Sequence, residues 1–136
     1  LLFATGGGLI VNVSSSGAIQ YAHNVPYGVG KAALDKMTAD TAHDLADHAV
    51  AVVSVWPGLV RTEQSHLHYG DEAGIAAVGA TIPAGRMAEP ADVAQAVLWV
   101  ASPSAAYMSG TNLLLHGGGE KPAYLGAAQP KETGRG

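Results

Sequence analysis

The stretch "VPYGVGKAALDK", residues 25–36, places Tyr27 and Lys31 four residues apart, with Leu34 three further on. In a helix that spacing puts all three on one face. The stripe is apolar from Leu34 onward but polar in its first turn. An inward lysine is costly unless something accepts its charge, so the first turn is expected to face a cleft. An ammonium one turn from a phenol favours the phenolate, and dry surroundings strengthen the pull. Such a pair is a proton donor and acceptor. Just upstream, "LIVNVSSSG" supplies Ser14, Ser15 and Ser16, any of whose hydroxyls could hold a carbonyl or alcohol oxygen in line for that proton. Taken alone, the three serines are equally good turn or cap residues. Gly28 and Gly30 each cost a helix about 1 kcal/mol against alanine, which predicts another group packed close against this backbone.

The elements that must position these groups are legible in outline. Residues 9–13, "LIVNV", read as a short strand buried on both faces. From Tyr27 to about His48 the period is helical: Leu34, Thr38, Thr41, Ala42 and Leu45 fall on one stripe, and Lys36, Asp40, His43, Asp44 and Asp47 opposite. "AVAVVSV", residues 49–55, reads as a second buried strand, ended by the turn Pro57-Gly58. Strand, helix and strand in that order imply a parallel pair with a right-handed crossover. Residues 59–85 read as a mobile flap in which "AGIAAVGA", despite two glycines, allows a short helix. "EPADVAQAVLWVAS" predicts a helix with Pro90 at its first position, Asp92 favoured by the N-terminal dipole, and Val93, Val97 and Val100 on its apolar stripe. "NLLLH", residues 112–116, predicts a third strand, broken by the glycines at 117–119. Residues 120–136, rich in Pro, Gly and charge, are expected to be a flexible tail. The fold class expected is α/β, a partial doubly wound parallel sheet in one domain over 1–136. Ligands of such sheets bind beyond the carboxyl ends of the strands, where Ser14–Ser16, Pro57-Gly58 and Tyr27 can converge.

Composition excludes several alternatives. The 136 residues contain no cysteine, so disulfides, thiolate metal sites and a cysteine nucleophile are absent, which suits a reducing cytoplasm. Seven scattered Lys and Arg against eleven Asp and Glu make no basic patch for nucleic acid. The longest apolar runs fall short of the roughly 18 residues of a membrane span. His66 and His68 could chelate from a strand, but neither a carboxylate nor a third histidine stands at a zinc spacing, so no metal is expected. His43 and His48 suit a solvated helix face and its end. Trp56 and Trp99 are expected in the core or at a subunit contact.

In order, "GGGLIVNVSSSG", "YGVGKAALDK", "VVSVWPGLVRTE" and "GRMAEPADVAQAVLWVASPSAAYMSGTNLLLHGGG" resemble the C-terminal half of short-chain dehydrogenase/reductases, over about residues 7–119. Within the family, "QYAHNVPYGVGKAA" is similar to the branch called dehydrogenase/reductase SDR family member 1. The resemblance implies a Rossmann-type fold, NAD(H) or NADP(H) as cofactor, and hydride transfer with a small-molecule carbonyl or alcohol substrate. It implies Tyr27 as general acid or base, Lys31 supporting its ionisation and bonding the nicotinamide ribose, and Ser15 orienting the substrate oxygen. It further implies Pro57, Gly58 and Val60 along the nicotinamide pocket, with the Thr62 hydroxyl near the carboxamide or the pyrophosphate. In the family the tyrosine-bearing helix also packs against its counterpart in a second subunit, so a homo-dimer or homo-tetramer is expected.

The departures are as informative. The glycine-rich turn between a first strand and a first helix has no counterpart, since Gly6-Gly7-Gly8 precede a strand instead. The residue that selects NAD or NADP, the "NNAG"-like segment and the family's catalytic asparagine are also absent from these residues. The chain therefore reads as the back half of an enzyme. The rival expectation is a truncated, non-catalytic remnant or interaction module that binds no cofactor.

Overall fold

The computed structural model describes residues 2, 4 and 6–119; the tail expected over 120–136 lies outside them. Its centre is the run "VAVVSVWP", which forms strand β2 (Val50–Pro57). Strand β1 (Gly8–Val13) and strand β3 (Thr111–Leu115) flank it, giving a parallel sheet in the order β1-β2-β3. The register runs from Gly8↔Val50 to Val13↔Val55 on one side and from Val53↔Thr111 to Pro57↔Leu115 on the other. β-Branched residues dominate β2 because both of its faces are covered. Val52, Val53 and Val55 are 0 % exposed, each worth roughly 1.5–3 kcal/mol of burial. Among the described residues no strand pairs with the outer edge of β1.

The segment carrying Tyr27 and Lys31 forms α1 (Val25–Asp44). It starts two residues before the tyrosine because the Asn24 side chain accepts from the Tyr27 amide at 2.9 Å, and Pro26 suits a first turn that needs no amide donor. It ends at Asp44, short of the expected His48, and the chain continues as a 3-10 turn over Ala46–His48 before Ala49 takes a left-handed φ of 54°. Thr38 is 1 % exposed, and Leu34, Thr41, Ala42 and Leu45 are half-buried, while Lys36, Asp40, His43, Asp44 and Asp47 are exposed. The expected inward stripe holds.

Even-numbered side chains of β1 and β2 face α1. The Asn12 amide donates to Thr38 Oγ1 at 2.9 Å, and Ser54 and Trp56 donate to Asp35. On the alternate face, Leu115 shares a cavity with Val93 of helix α4 (Pro90–Val100), so helices cover both faces of the sheet. Asp92 stops the start of α4 from fraying: its carboxylate accepts from the Glu89 amide at 2.8 Å and from the Arg86 guanidinium at 2.6 and 3.1 Å. Those bonds, Arg86 first, hold the Asp92 carboxyl below its ordinary 3.8, at about 2.

The region expected as a flap contains two helices, α2 (Glu63–Tyr69) and α3 (Glu72–Ala80). Asp71 caps α3 by accepting from the Gly74 amide at 3.1 Å. Ile75, Ile82 and Met87 form a small buried cluster beneath α3, with Tyr69 and Val78 against it. Gly79, one of the two glycines that argued against a helix, lets this turn approach the Arg86–Met87 backbone. Trp56 is 6 % exposed, as expected of a core residue, whereas Trp99 is 46 % exposed on α4.

Candidate active site

Three segments meet at the carboxyl end of the sheet. After β1 the chain turns at Ser15, whose hydroxyl accepts from the Gly17 amide at 3.1 Å and caps a 3-10 turn over Ser16–Ala18. The same Ser15 Oγ stands 3.0 Å from Tyr27 Oη, with either hydroxyl able to donate. Ser14 is 3 % exposed and its hydroxyl donates to the Lys31 carbonyl at 3.3 Å. Ser16 opens the turn, its carbonyl accepting from the Ile19 and Gln20 amides. Of the three serines, Ser15 is the one whose hydroxyl is bonded to the tyrosine.

Lys31 lies one turn beyond Tyr27, as the spacing required. Its Nζ donates to the Val13 carbonyl at 2.9 Å and sits 5.7 Å from the Tyr27 ring centroid. An ammonium has three donors, so two remain for a ligand. The third segment, Pro57-Gly58, closes the far wall. Gly58 is needed there by close approach: a Cβ would lie 2.9 Å from His116 Cα, and the Gly58 amide donates to the Leu115 carbonyl at 2.9 Å. Together these residues, with Gln20, Ala22, His23 and Leu59, line a cleft of about 500 Å³.

Two contributors escaped sequence reasoning. Gly17 passes so close to the tyrosine that a Cβ would fall 2.6 Å from Tyr27 Cε1 and 3.0 Å from Ser15 Oγ; its signal was its place in "SSSG". His23 takes a left-handed φ of 57° and sets its ring edge-on to Tyr27, 4.7 Å between centroids at 71°. Of the two glycines expected to admit a close neighbour, Gly28 does so, since a Cβ there would lie 3.2 Å from the Gly17 carbonyl oxygen, whereas a Cβ at Gly30 would meet open space.

Val60 and Thr62 are not among the cleft's lining residues. Val60 pairs with Ala88, and Thr62 caps α2, its amide donating to Ser65 Oγ at 2.9 Å while that hydroxyl donates to the Val60 carbonyl at 2.8 Å. His66 and His68 lie on α2 rather than on a strand. Two residues apart on a helix they diverge by about 200°, so they cannot grip one ion. Among the described residues no group of three His, Cys, Asp or Glu side chains could hold a metal, and no helix is long and apolar enough to cross a membrane.

This serine, Y-x-x-x-K helix and Pro-Gly turn, hung on a parallel sheet, can be set beside known proteins. A family model described as enoyl-(acyl carrier protein) reductase matches residues 2–120. Human "Dehydrogenase/reductase SDR family member 1" is 56 % identical over 72 residues, 53 % of this chain and 23 % of its own length. The chain belongs to the short-chain dehydrogenase/reductase family. Its kinship there extends to 3-oxoacyl-acyl-carrier-protein reductase of Vibrio harveyi, 36 % identical over 82 % of this chain and 45 % of the relative. Among solved family structures, a 7α-hydroxysteroid dehydrogenase complexed with NADH and 7-oxo glycochenodeoxycholic acid superposes with a TM-score of 0.75 at 28 % identity, covering 89 % of this chain and 48 % of that one. An NADPH-bound short-chain oxidoreductase of Pseudomonas aeruginosa gives 0.76 at 32 %, covering 85 % and 47 %. The chain thus spans less than half the length of the curated relatives it matches.

Proposed function

We propose that the chain is the catalytic half of an NAD(P)-dependent oxidoreductase that interconverts a carbonyl and an alcohol. The observation carrying this reading is the 3.0 Å pair of Ser15 Oγ and Tyr27 Oη, with Lys31 one turn away, in a cleft walled by Pro57-Gly58. A substrate carbonyl oxygen fits where both hydroxyls can donate to it. Ser15 orients that oxygen, and Tyr27 gives it a proton as the carbon is reduced or takes the proton back in the reverse direction. The Lys31 ammonium stands beside that phenol, 5.7 Å from its ring centroid. The bound nicotinamide would supply or accept the hydride.

The residues present suit the nicotinamide end of that cofactor. Lys31 keeps two ammonium donors for a ribose, and the side-chain-free Gly58 leaves room along the cleft, whereas Val60 and Thr62 lie outside its lining. For the pyrophosphate and adenine, the described residues offer no glycine-rich turn between a strand and a helix. That observation, together with an outer edge of β1 that no strand among the described residues pairs with, favours the rival reading for the 136 residues on their own: folding without cofactor binding. The two readings combine if the whole polypeptide is a single Rossmann-type domain to which 1–136 contributes the catalytic part. We place such an enzyme in the cytoplasm, as a homo-dimer or homo-tetramer. Val25, Val29 and Met37, each more than half exposed on α1, support a subunit contact along that helix.

A fluorescence titration of NADH and NADPH tests the assignment, using the 136 residues and a polypeptide extended upstream of Leu1. The reading predicts saturable binding and turnover by the extended polypeptide and little or none by the shorter one. Tight binding by the shorter chain would overturn the division of labour.

A further inference from the structure

Asp35 lies one turn beyond Lys31 and two beyond Tyr27, so α1 presents phenol, ammonium and carboxylate at successive turns of one side. The first two reach the cleft. The third reaches the sheet: Asp35 Oδ1 accepts from Ser54 Oγ at 2.9 Å and from Trp56 Nε1 at 3.0 Å. Both donors are buried, Ser54 at 0 % and Trp56 at 6 % exposure, and the second carboxylate oxygen is buried with no hydrogen-bond partner. Trp56 is the residue immediately before Pro57-Gly58.

Resting on the oxidoreductase reading above, we infer that Asp35 is a positioning residue: it ties the catalytic helix to β2 and so sets how far Tyr27 and Lys31 stand from the Pro57-Gly58 wall. Apolar contact alone fixes this poorly, because hydrophobic burial is non-directional and the inward stripe of α1 is made partly of the small residues Thr38, Thr41 and Ala42. A slip of one residue would move Tyr27 about 1.5 Å along the axis and turn it by about 100°, out of reach of Ser15. Polar ties resist that slip because their donors sit at fixed points of the strands. The second tie, from Asn12 to Thr38, lies at the same level of the sheet, since Asn12 and Ser54 are register partners. Of the two, only the Asp35 tie reaches the strand that carries the Pro-Gly wall.

The test uses the upstream-extended polypeptide. Asp35→Ala should lower kcat at least tenfold while NAD(P)H affinity stays within threefold. Asp35→Asn should restore kcat to within threefold, because its amide oxygen can accept both bonds and its nitrogen replaces an oxygen that has no partner to lose. Trp56→Phe, which removes one donor but keeps a buried ring, should lower kcat by a smaller factor and add nothing when combined with Asp35→Ala. Should Asp35→Ala fail to fold, Trp56→Phe carries the test, and an unchanged kcat there overturns the inference. So would an Asn variant as impaired as the Ala variant, or effects that multiply in the double variant. Turnover by the unaltered protein with no change in either single variant sinks this inference alone. No turnover by the unaltered protein sinks the reading beneath it.

Discussion

Replacing Gly17 with alanine probes the site through a single methyl group. The Cβ would fall 2.6 Å from Tyr27 Cε1, 3.1 Å from Cδ1 and 3.0 Å from Ser15 Oγ. Carbon atoms rest at about 3.5–4.0 Å, so the ring must retreat by roughly 1 Å. The backbone of Gly17 has no left-handed φ, so the strain arises from this contact alone. The ring cannot retreat freely, because its helix is anchored at Asn24 and its hydroxyl is bonded to Ser15. A displacement of about 1 Å at a reacting group costs on the order of 100-fold in rate, about 2.7 kcal/mol of barrier. Overpacking should also lower stability by about 1–3 kcal/mol. The assay is steady-state reduction of a carbonyl substrate by the upstream-extended polypeptide, with a thermal melt of the same sample. A Gly17→Ala variant that melts lower but keeps full kcat would refute the claim that the Ser15–Tyr27 distance governs turnover.

Two further expectations concern the frame. Gly58→Ala sets a Cβ against the backbone of His116, which cannot swing away, and should part the ends of β2 and β3. A cost of about 1–3 kcal/mol would lower the melting temperature by roughly 3–10 °C in calorimetry. The Asp92 carboxyl is held at about 2 in the fold, so its contribution is complete above its ordinary 3.8 and fades as pH falls through 2. The gap in melting temperature between the native chain and Asp92→Asn should therefore be constant from pH 5 to 7 and narrow below about pH 4; a gap that widens on acidification would contradict the assignment.

What sequence alone disclosed follows the range of the forces involved. Strands β1, β2 and β3 and helices α1 and α4 were legible because their patterns of burial repeat along the chain. The meeting of Tyr27 and Lys31 with the serine cluster was legible because a four-residue spacing and an adjacent strand end place them together by local geometry, whereas the choice of Ser15 among Ser14–Ser16 came from the family resemblance. Asp35 was not, although it continues the same stripe, because a carboxylate points inward only when distant donors await it. Those donors, Ser54 and Trp56, are paired by the strand's period of two, which shows their shared face but not their partner. α3 was obscured by its glycines, and the reason Gly79 is tolerated is the Arg86–Met87 backbone folded against it. Gly30 misled in the opposite sense, since a glycine implies a close neighbour only when the tertiary fold brings one.

Tyr27→Phe in the upstream-extended polypeptide tests the account most directly, since it deletes one oxygen and leaves the ring, Gly17 and Lys31 in place. Turnover should fall by at least two orders of magnitude while NAD(P)H affinity stays within a few-fold of the unaltered protein. Undiminished turnover in that variant would contradict the assignment of the Tyr27 hydroxyl as the group that carries the proton.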